Sequence, residues 1–224
     1  MIEVKNLKKS FKDGESITEV LKGIDFVAKS GEFVAIMGRS GAGKSTFLYQ
    51  MSLLDEPTSG EILIDGKNVS SLTVGEKTNF RLSDLGYVFQ DYALLPEMTA
   101  LENVALPLLM QGFSEKKALE KATEHLILVG LGERLKNLPS QLSGGEQQRV
   151  SVARAIAHEP KILFADEPTA NLDNESSRVI MNILKELHKE GQTIIMVTHE
   201  VEYSKFAERI IHLDDGKIVS IDKN

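Results

Sequence analysis

Residues 33–37, 162–165 and 193–197 are unbroken apolar runs. A run of four or five such residues without polar alternation predicts a strand covered on both faces, the usual state of a parallel sheet. Residues 2–4, 24–28 and 62–64 carry polar interruptions and predict antiparallel strands with one wet face. Across residues 175–190, Val179, Ile180, Ile183, Leu184 and Leu187 recur at helical spacing, so the stretch from 162 to 197 predicts a β-α-β crossover. Strand signals vanish from about Asp91 to His158, where residues 100–111, 114–129 and 146–158 read as helices. Ser114 followed by Lys117 makes no capping box, although its hydroxyl could cap alone. Residues 210–213 and 217–221 flank Asp214-Asp215-Gly216, a hairpin signal. The predicted class is α/β: a mixed sheet with flanking helices, an N-terminal antiparallel β subdomain and an inserted helical subdomain. One domain spans 1–224, with its core in 1–90 and 159–224 and the helical part in 91–158.

At 224 residues and 42% hydrophobic content the chain can build one core with an inserted lobe, and is too short for two such domains. A net charge of −7 without any basic run argues against DNA or RNA as the main partner, because such binding needs clustered Lys and Arg to displace counterions. Cysteine is absent, which excludes disulfides and thiolate metal sites and agrees with a reducing cytoplasm. The apolar runs are far shorter than the roughly 20 residues that cross a bilayer. Residues 1–5 lack the features of a secretion signal, and no appended domain is expected after the final hairpin.

Two short motifs carry the chemistry. Gly38-Arg39-Ser40-Gly41-Ala42-Gly43-Lys44-Ser45 has the form G-x-x-x-x-G-K-[ST], a loop whose backbone N–H groups close around a polyphosphate while the lysine reaches the β and γ phosphates. Lys44 supplies the point charge, and a helix starting near it turns its positive end to the anion with the N–H groups of Gly41 to Thr46. Ser45 offers a hydroxyl to Mg²⁺. Asp166 ends a buried apolar run and is placed to hold the same ion through water, because Mg²⁺ keeps part of its hydration shell. Glu167 follows directly, and a carboxylate there can accept the proton of an attacking water. The second motif is Leu142-Ser143-Gly144-Gly145-Glu146, a glycine-bearing loop before a helix. His125, His158, His188 and His212 show no ligand spacing, so no transition metal is expected.

In this order, phosphate loop, LSGGE, then Ile162-Leu163-Phe164-Ala165-Asp166-Glu167, the chain resembles the ATP-binding cassette (ABC) ATPases from about residue 2 to residue 220. The resemblance implies a P-loop NTPase core, ATP and Mg²⁺ as cofactors, and Glu167 as the catalytic glutamate. It implies that His199, in Thr198-His199-Glu200, contacts the γ-phosphate and orders the water. Gln90 corresponds to the glutamine that touches the metal when ATP is bound. Phe11 corresponds to the aromatic that stacks on adenine; the alternative is a core phenylalanine. Asn171-Leu172-Asp173 corresponds to the loop that reaches a second cassette. Ser143, Gly144, Gly145 and Glu146 close on a partner's ATP, so a head-to-tail dimer with two sandwiched nucleotides is implied. Departures are small: Arg39 stands where Pro is common, Glu146 where Gln is common, and Ala170 where Gly is frequent.

Residues 53–61 and 99–107 resemble the branch of lipoprotein-release and macrolide-export ATPases. That implies a separate integral membrane permease and a cytoplasmic chain held peripherally on the inner face of the membrane. A cell-division cassette, an amino-acid importer cassette and a soluble non-transport ABC ATPase are the alternatives. A short cytoplasmic helix of the permease is expected beside residues 90–104, where Tyr92, Leu94, Leu95 and Met98 are apolar for a free loop.

Overall fold

Apolar alternation at the start of the chain sets the first sheet. In a computed structural model that describes residues 1–14 and 16–224, β1 (Ile2–Asp13) pairs antiparallel with β2 (Ser16–Ala28) and β4 (Ser59–Ile64), and β4 with β5 (Lys67–Asn68). Ile2 faces Ala28 on one side and Ile64 on the other, and all three are buried. β1 and β2 run well past the apolar stretches that predict them. Their outer halves are polar, and the antiparallel hydrogen-bond ladder, interrupted by bulges near Val4 and Leu7, holds them extended.

This sheet belongs to a first compact unit, Met1–Asn79 with His188–Asn224. There β3 (Phe33–Met37) lies between two parallel partners, β8 (Thr193–Val197) and β9 (Arg209–Asp214). Every residue of β3 and β8 is buried, as unbroken apolar runs require. β10 (Lys217–Lys223) adds antiparallel to β9 through the Asp215-Gly216 turn, as its sequence predicts. α1 (Lys44–Met51) buries Phe47, Leu48 and Met51, each contributing about 1.5–3 kcal/mol through removal from water. Phe47 meets Phe26 edge to face with ring centroids 5.6 Å apart, tying α1 to the antiparallel sheet. A short helix α7 (Val201–Ser204) follows β8.

The second unit, Phe80–Leu187, holds a parallel pair, β6 (Leu85–Val88) and β7 (Ile162–Asp166), with α3 (Ala100–Met110), α4 (Glu115–Leu128), α5 (Gly144–Ile156) and α6 (Asn174–Lys189). α3, α4 and α6 fall where the hydrophobic spacing predicts them, and α5 starts two residues earlier, at the glycines. Ser114 sits extended at the N-cap of α4 without a side-chain cap bond. Thr99 and Glu102 form a full capping box on α3.

One helix is missing from the hydrophobic pattern. α2 (Val74–Asp84) spans the boundary between the units, and only Lys77 of it is buried, so it presents no apolar stripe. Its start is marked instead by Thr73 and Glu76, each bonded to the other's backbone or side chain.

Candidate active site

In the first unit the phosphate loop leaves the carboxyl end of β3. A Cβ on Gly38 would overlap the Leu213 carbonyl oxygen, so the chain passes β9 there only as glycine. The far side of the loop is braced by the final hairpin, where Gly216 N donates to Ala42 O at 3.2 Å. Lys44 is 7% exposed, and its Nζ donates to Arg39 O at 3.1 Å, which holds the ammonium inside the loop it serves. Ser45 and Thr46 occupy the first turn of α1, whose N-terminal N–H groups and dipole favour an anion. Arg39 and Ser40 are exposed at the loop mouth.

β3 and β8 are parallel with Ile36 opposite Val197, and Thr198 N donates to Ile36 O at 3.1 Å. The phosphate loop and the exposed His199 thus leave neighbouring strands at the same edge, where α/β sheets bind ligands. Phe11 is 47% exposed on β1, with the Lys9 ammonium 4.9 Å from its ring centroid. It is a surface aromatic rather than a core residue.

The second unit repeats this geometry. β6 and β7 are parallel with Val88 opposite Ala165, so Gln90 and Asp166-Glu167 also leave from one edge. Asp166 is 4% exposed and accepts a hydrogen bond from Tyr87 Oη at 3.3 Å. Glu167 stands at φ 44°, a left-handed conformation that a non-glycine residue holds only when its surroundings over-determine it. Mg²⁺ prefers hard oxygen donors, and the Asp166 carboxylate in this unit and the Ser45 hydroxyl in the first unit are each, taken singly, of that kind.

The LSGGE loop opens α5. Ser143 Oγ accepts from Glu146 N at 3.2 Å, and Glu146 Oε2 accepts from Ser143 N at 2.8 Å. The backbone donor at Ser143, with the Arg134 ion pair at 3.1 Å, holds the Glu146 carboxyl below the usual carboxylate range. Gly145 packs so closely on Ser176 that a Cβ would lie 2.5 Å from its Oγ. Asp173 is the N-cap of α6: its Oδ1 accepts from Ser176 N at 2.8 Å, which lowers its pKa. The carboxylate named by the resemblance for contact with a second cassette is thus engaged in capping its own helix.

Backbone carbonyls join these loops within the unit. Asn171 Nδ2 donates to Gln90 O at 3.0 Å, and Tyr92 Oη to Asn171 O at 3.4 Å. Tyr92 and Ala93 both have positive φ, 64° and 48°, and the Arg154 guanidinium donates to both of their carbonyls, at 2.9 and 2.6 Å. Burial lowers the Arg154 pKa from its ordinary value. Asn103, fully buried, donates to the Leu95, Met98 and Thr99 carbonyls and accepts from Leu95 N at 2.8 Å. Sequence reasoning missed Gln148, Arg154 and the anchoring role of Asn103. Only Asn103 left a signal, as a buried polar residue within the apolar stretch that follows Thr99.

The ABC transporter family model matches residues 21–170. The chain is 50% identical over 222 residues to the lipoprotein-releasing system ATP-binding protein LolD of Syntrophus aciditrophicus, covering 98% of this chain and 99% of that one. It is 47% identical to the macrolide export ATP-binding/permease protein MacB of Aggregatibacter actinomycetemcomitans over 98% of this chain, but spans only 34% of that protein. Among solved structures, the dimeric post-hydrolysis ATP-binding cassette MJ0796 bound to ADP and Pi superposes with a TM-score of 0.93 at 44% identity, covering 100% of this chain and 98% of that one. These relationships and the two motif loops agree: the chain belongs to the ABC transporter family, as one of its ATP-binding cassettes.

Proposed function

We propose that Lys44, Asp166, Glu167 and His199 carry Mg²⁺-dependent ATP hydrolysis in this cassette, an ATPase that powers a membrane transporter. The observation that carries the reading is Lys44, buried within its own loop at the N-terminus of α1, where a phosphate would replace the Arg39 carbonyl as its partner. Phosphoryl transfer asks the protein for charge neutralisation and alignment more than for covalent work. Lys44 and the N–H groups of residues 41–46 answer the charge on the phosphates. When bound to Ser45, Asp166 and Gln90, Mg²⁺ would neutralise further charge. Glu167 accepts the proton of the attacking water, and His199 orders that water. Phe11, exposed on β1, stacks on the base.

The second cassette needed by the LSGGE loop is a copy of this chain, as in the dimeric solved cassette. The permease is a separate chain, and no helix among the described residues is long and apolar enough to cross a membrane. The cassette sits on the cytoplasmic face through that permease. The cargo is a lipoprotein or a macrolide, a reading supported by the names of the LolD and MacB relatives.

Lys44→Ala removes the point charge from the phosphate cradle. A 100-fold loss of kcat/KM, about 2.7 kcal/mol, is the expected outcome of steady-state ATP hydrolysis by the purified chain. Hydrolysis at the wild-type rate would show that Lys44 does not serve the phosphates.

A further inference from the structure

Gln148 is fully buried on α5, the helix that the LSGGE loop opens. Its Nε2 donates to two backbone carbonyls, Phe89 O at 3.2 Å and Pro168 O at 2.9 Å. The first carbonyl belongs to the peptide bond that leads into Gln90. The second belongs to the residue that follows Glu167, whose backbone is held at positive φ. One side-chain amide therefore reaches the flanks of both residues that leave the β6 and β7 edge.

Chemistry restricts what can occupy this position. Serving two carbonyls takes two N–H groups on one atom, which a carboxamide has and a carboxylate lacks. Among the described residues, Gln148 Oε1 has no hydrogen-bond partner, and neither does the Ser151 hydroxyl one helical turn on. Turning the amide over would aim Oε1 at two carbonyl oxygens, so the two donations fix its orientation. A buried oxygen left without a partner is costly, and it is tolerated here beside two satisfied donors.

We propose that Gln148 is a positioning residue for ATP hydrolysis: it clamps the backbone beside Glu167 and beside Gln90 to the helix whose N-terminus carries Ser143, Gly144 and Gly145. This rests on the reading of Glu167 as the proton acceptor. Without the clamp, Glu167 can relax from its left-handed conformation and lose aim on the water, while Lys44 and the phosphate loop still bind nucleotide. The loss therefore falls on kcat and spares KM.

The test uses the full chain with two substitutions. Gln148→Met keeps length and burial but removes both donors. Gln148→Glu keeps shape and can donate only when its carboxyl is protonated. Steady-state kcat and KM for ATP are measured per folded molecule, normalised by nucleotide-binding stoichiometry. The expected result for Gln148→Met is a kcat lower by about tenfold or more with KM changed less than about twofold. Adding it to Glu167→Gln should leave the residual rate of that variant unchanged, because both act on one step. For Gln148→Glu, the kcat relative to wild type should rise as pH falls from about 8 to about 6, as protonation of the buried acid returns a donor.

An unchanged kcat in Gln148→Met overturns the proposal, as does a full multiplicative loss on top of Glu167→Gln, or a flat pH ratio in Gln148→Glu. Failure of both single variants to fold and bind ATP also overturns it, since the residue then serves the fold alone. Wild-type hydrolysis by Glu167→Gln would instead remove the assignment of the base, whatever Gln148→Met does.

Discussion

Arg154 shows how one side chain can hold a strained loop. It is half-buried and charged, and its guanidinium donates to the carbonyls of Tyr92 and Ala93, two consecutive non-glycine residues at positive φ. Hydrogen bonds to a charged donor contribute about 1.5–3 kcal/mol each, and the freed carbonyls can partly rehydrate because Ala93 is exposed. Arg154→Met should therefore lower the unfolding free energy by about 2 kcal/mol, read from urea denaturation at constant slope. Wild-type stability in that variant would mean that the loop holds its shape unaided. The residues legible in the sequence are those whose chemistry is packed into contiguous stretches, such as residues 38–46, 142–146 and 162–167. Gln148 and Arg154 were not legible, because their partners are carbonyls 20 to 62 positions away in the chain and no motif records a main-chain acceptor. Phe11 was legible as an aromatic but not as a surface residue. A hydrophobic side chain in a polar stretch reads the same whether it packs or stacks.

Helix starts decide how the loops of the second unit are presented. Thr99 Oγ1 accepts from Glu102 N at 3.2 Å, while Glu102 Oε2 accepts from Thr99 N at 2.8 Å. The Thr99 backbone bond, followed by its hydroxyl, lowers the Glu102 pKa. A carboxyl whose folded pKa is depressed binds protons more weakly in the folded state than in the unfolded one. Its stabilising contribution is therefore complete above the ordinary carboxyl value of about 4.3 and is lost as pH falls through the lower folded value. Thr99→Ala should cost about 1 kcal/mol at neutral pH, the usual cost of a lost N-cap. The gap between wild type and Glu102→Ala should be constant from neutral pH down to about 5 and then shrink on acidification, as seen in chemical denaturation across pH. A gap that widens on acidification would contradict the sign of the shift. The same Ser/Thr-x-x-Glu pattern stands at Thr73, Thr99 and Ser143, and it marks α2, α3 and α5 more sharply than hydrophobic spacing does. α2 escapes a reading by periodicity because its contribution is local capping and the buried Lys77, which pairs with Glu56 at 2.7 Å.

At the scale of the molecule, parallel strands were legible because both their faces are apolar, and the antiparallel strands only where they alternate. The polar halves of β1 and β2 had no signal, since their extension is set by a partner strand and not by their own side chains. The two anion cradles belong to different units, Lys44 to one and Ser143 to Gly145 to the other. On the function proposed above, the second cradle closes on the nucleotide of another cassette, and the solved relative is dimeric. Glu167→Gln puts a neutral side chain of nearly the same size at the left-handed position and removes the negative charge together with the proton acceptor. ATP should then bind without being consumed, and the bridging γ-phosphate should persist between two chains. Sedimentation velocity at micromolar protein is expected to show a dimer of Glu167→Gln with MgATP and a monomer with MgADP, whereas the wild type should dimerise only transiently. The Gly145→Ala change presses a methyl against Ser176 and should weaken that dimer in the Glu167→Gln background, while ATP binding by each chain stays intact. A Glu167→Gln chain that stays monomeric at saturating MgATP would show that the second cradle does not close on a copy of this chain alone, leaving a heterodimer or a dimer that forms only with the permease.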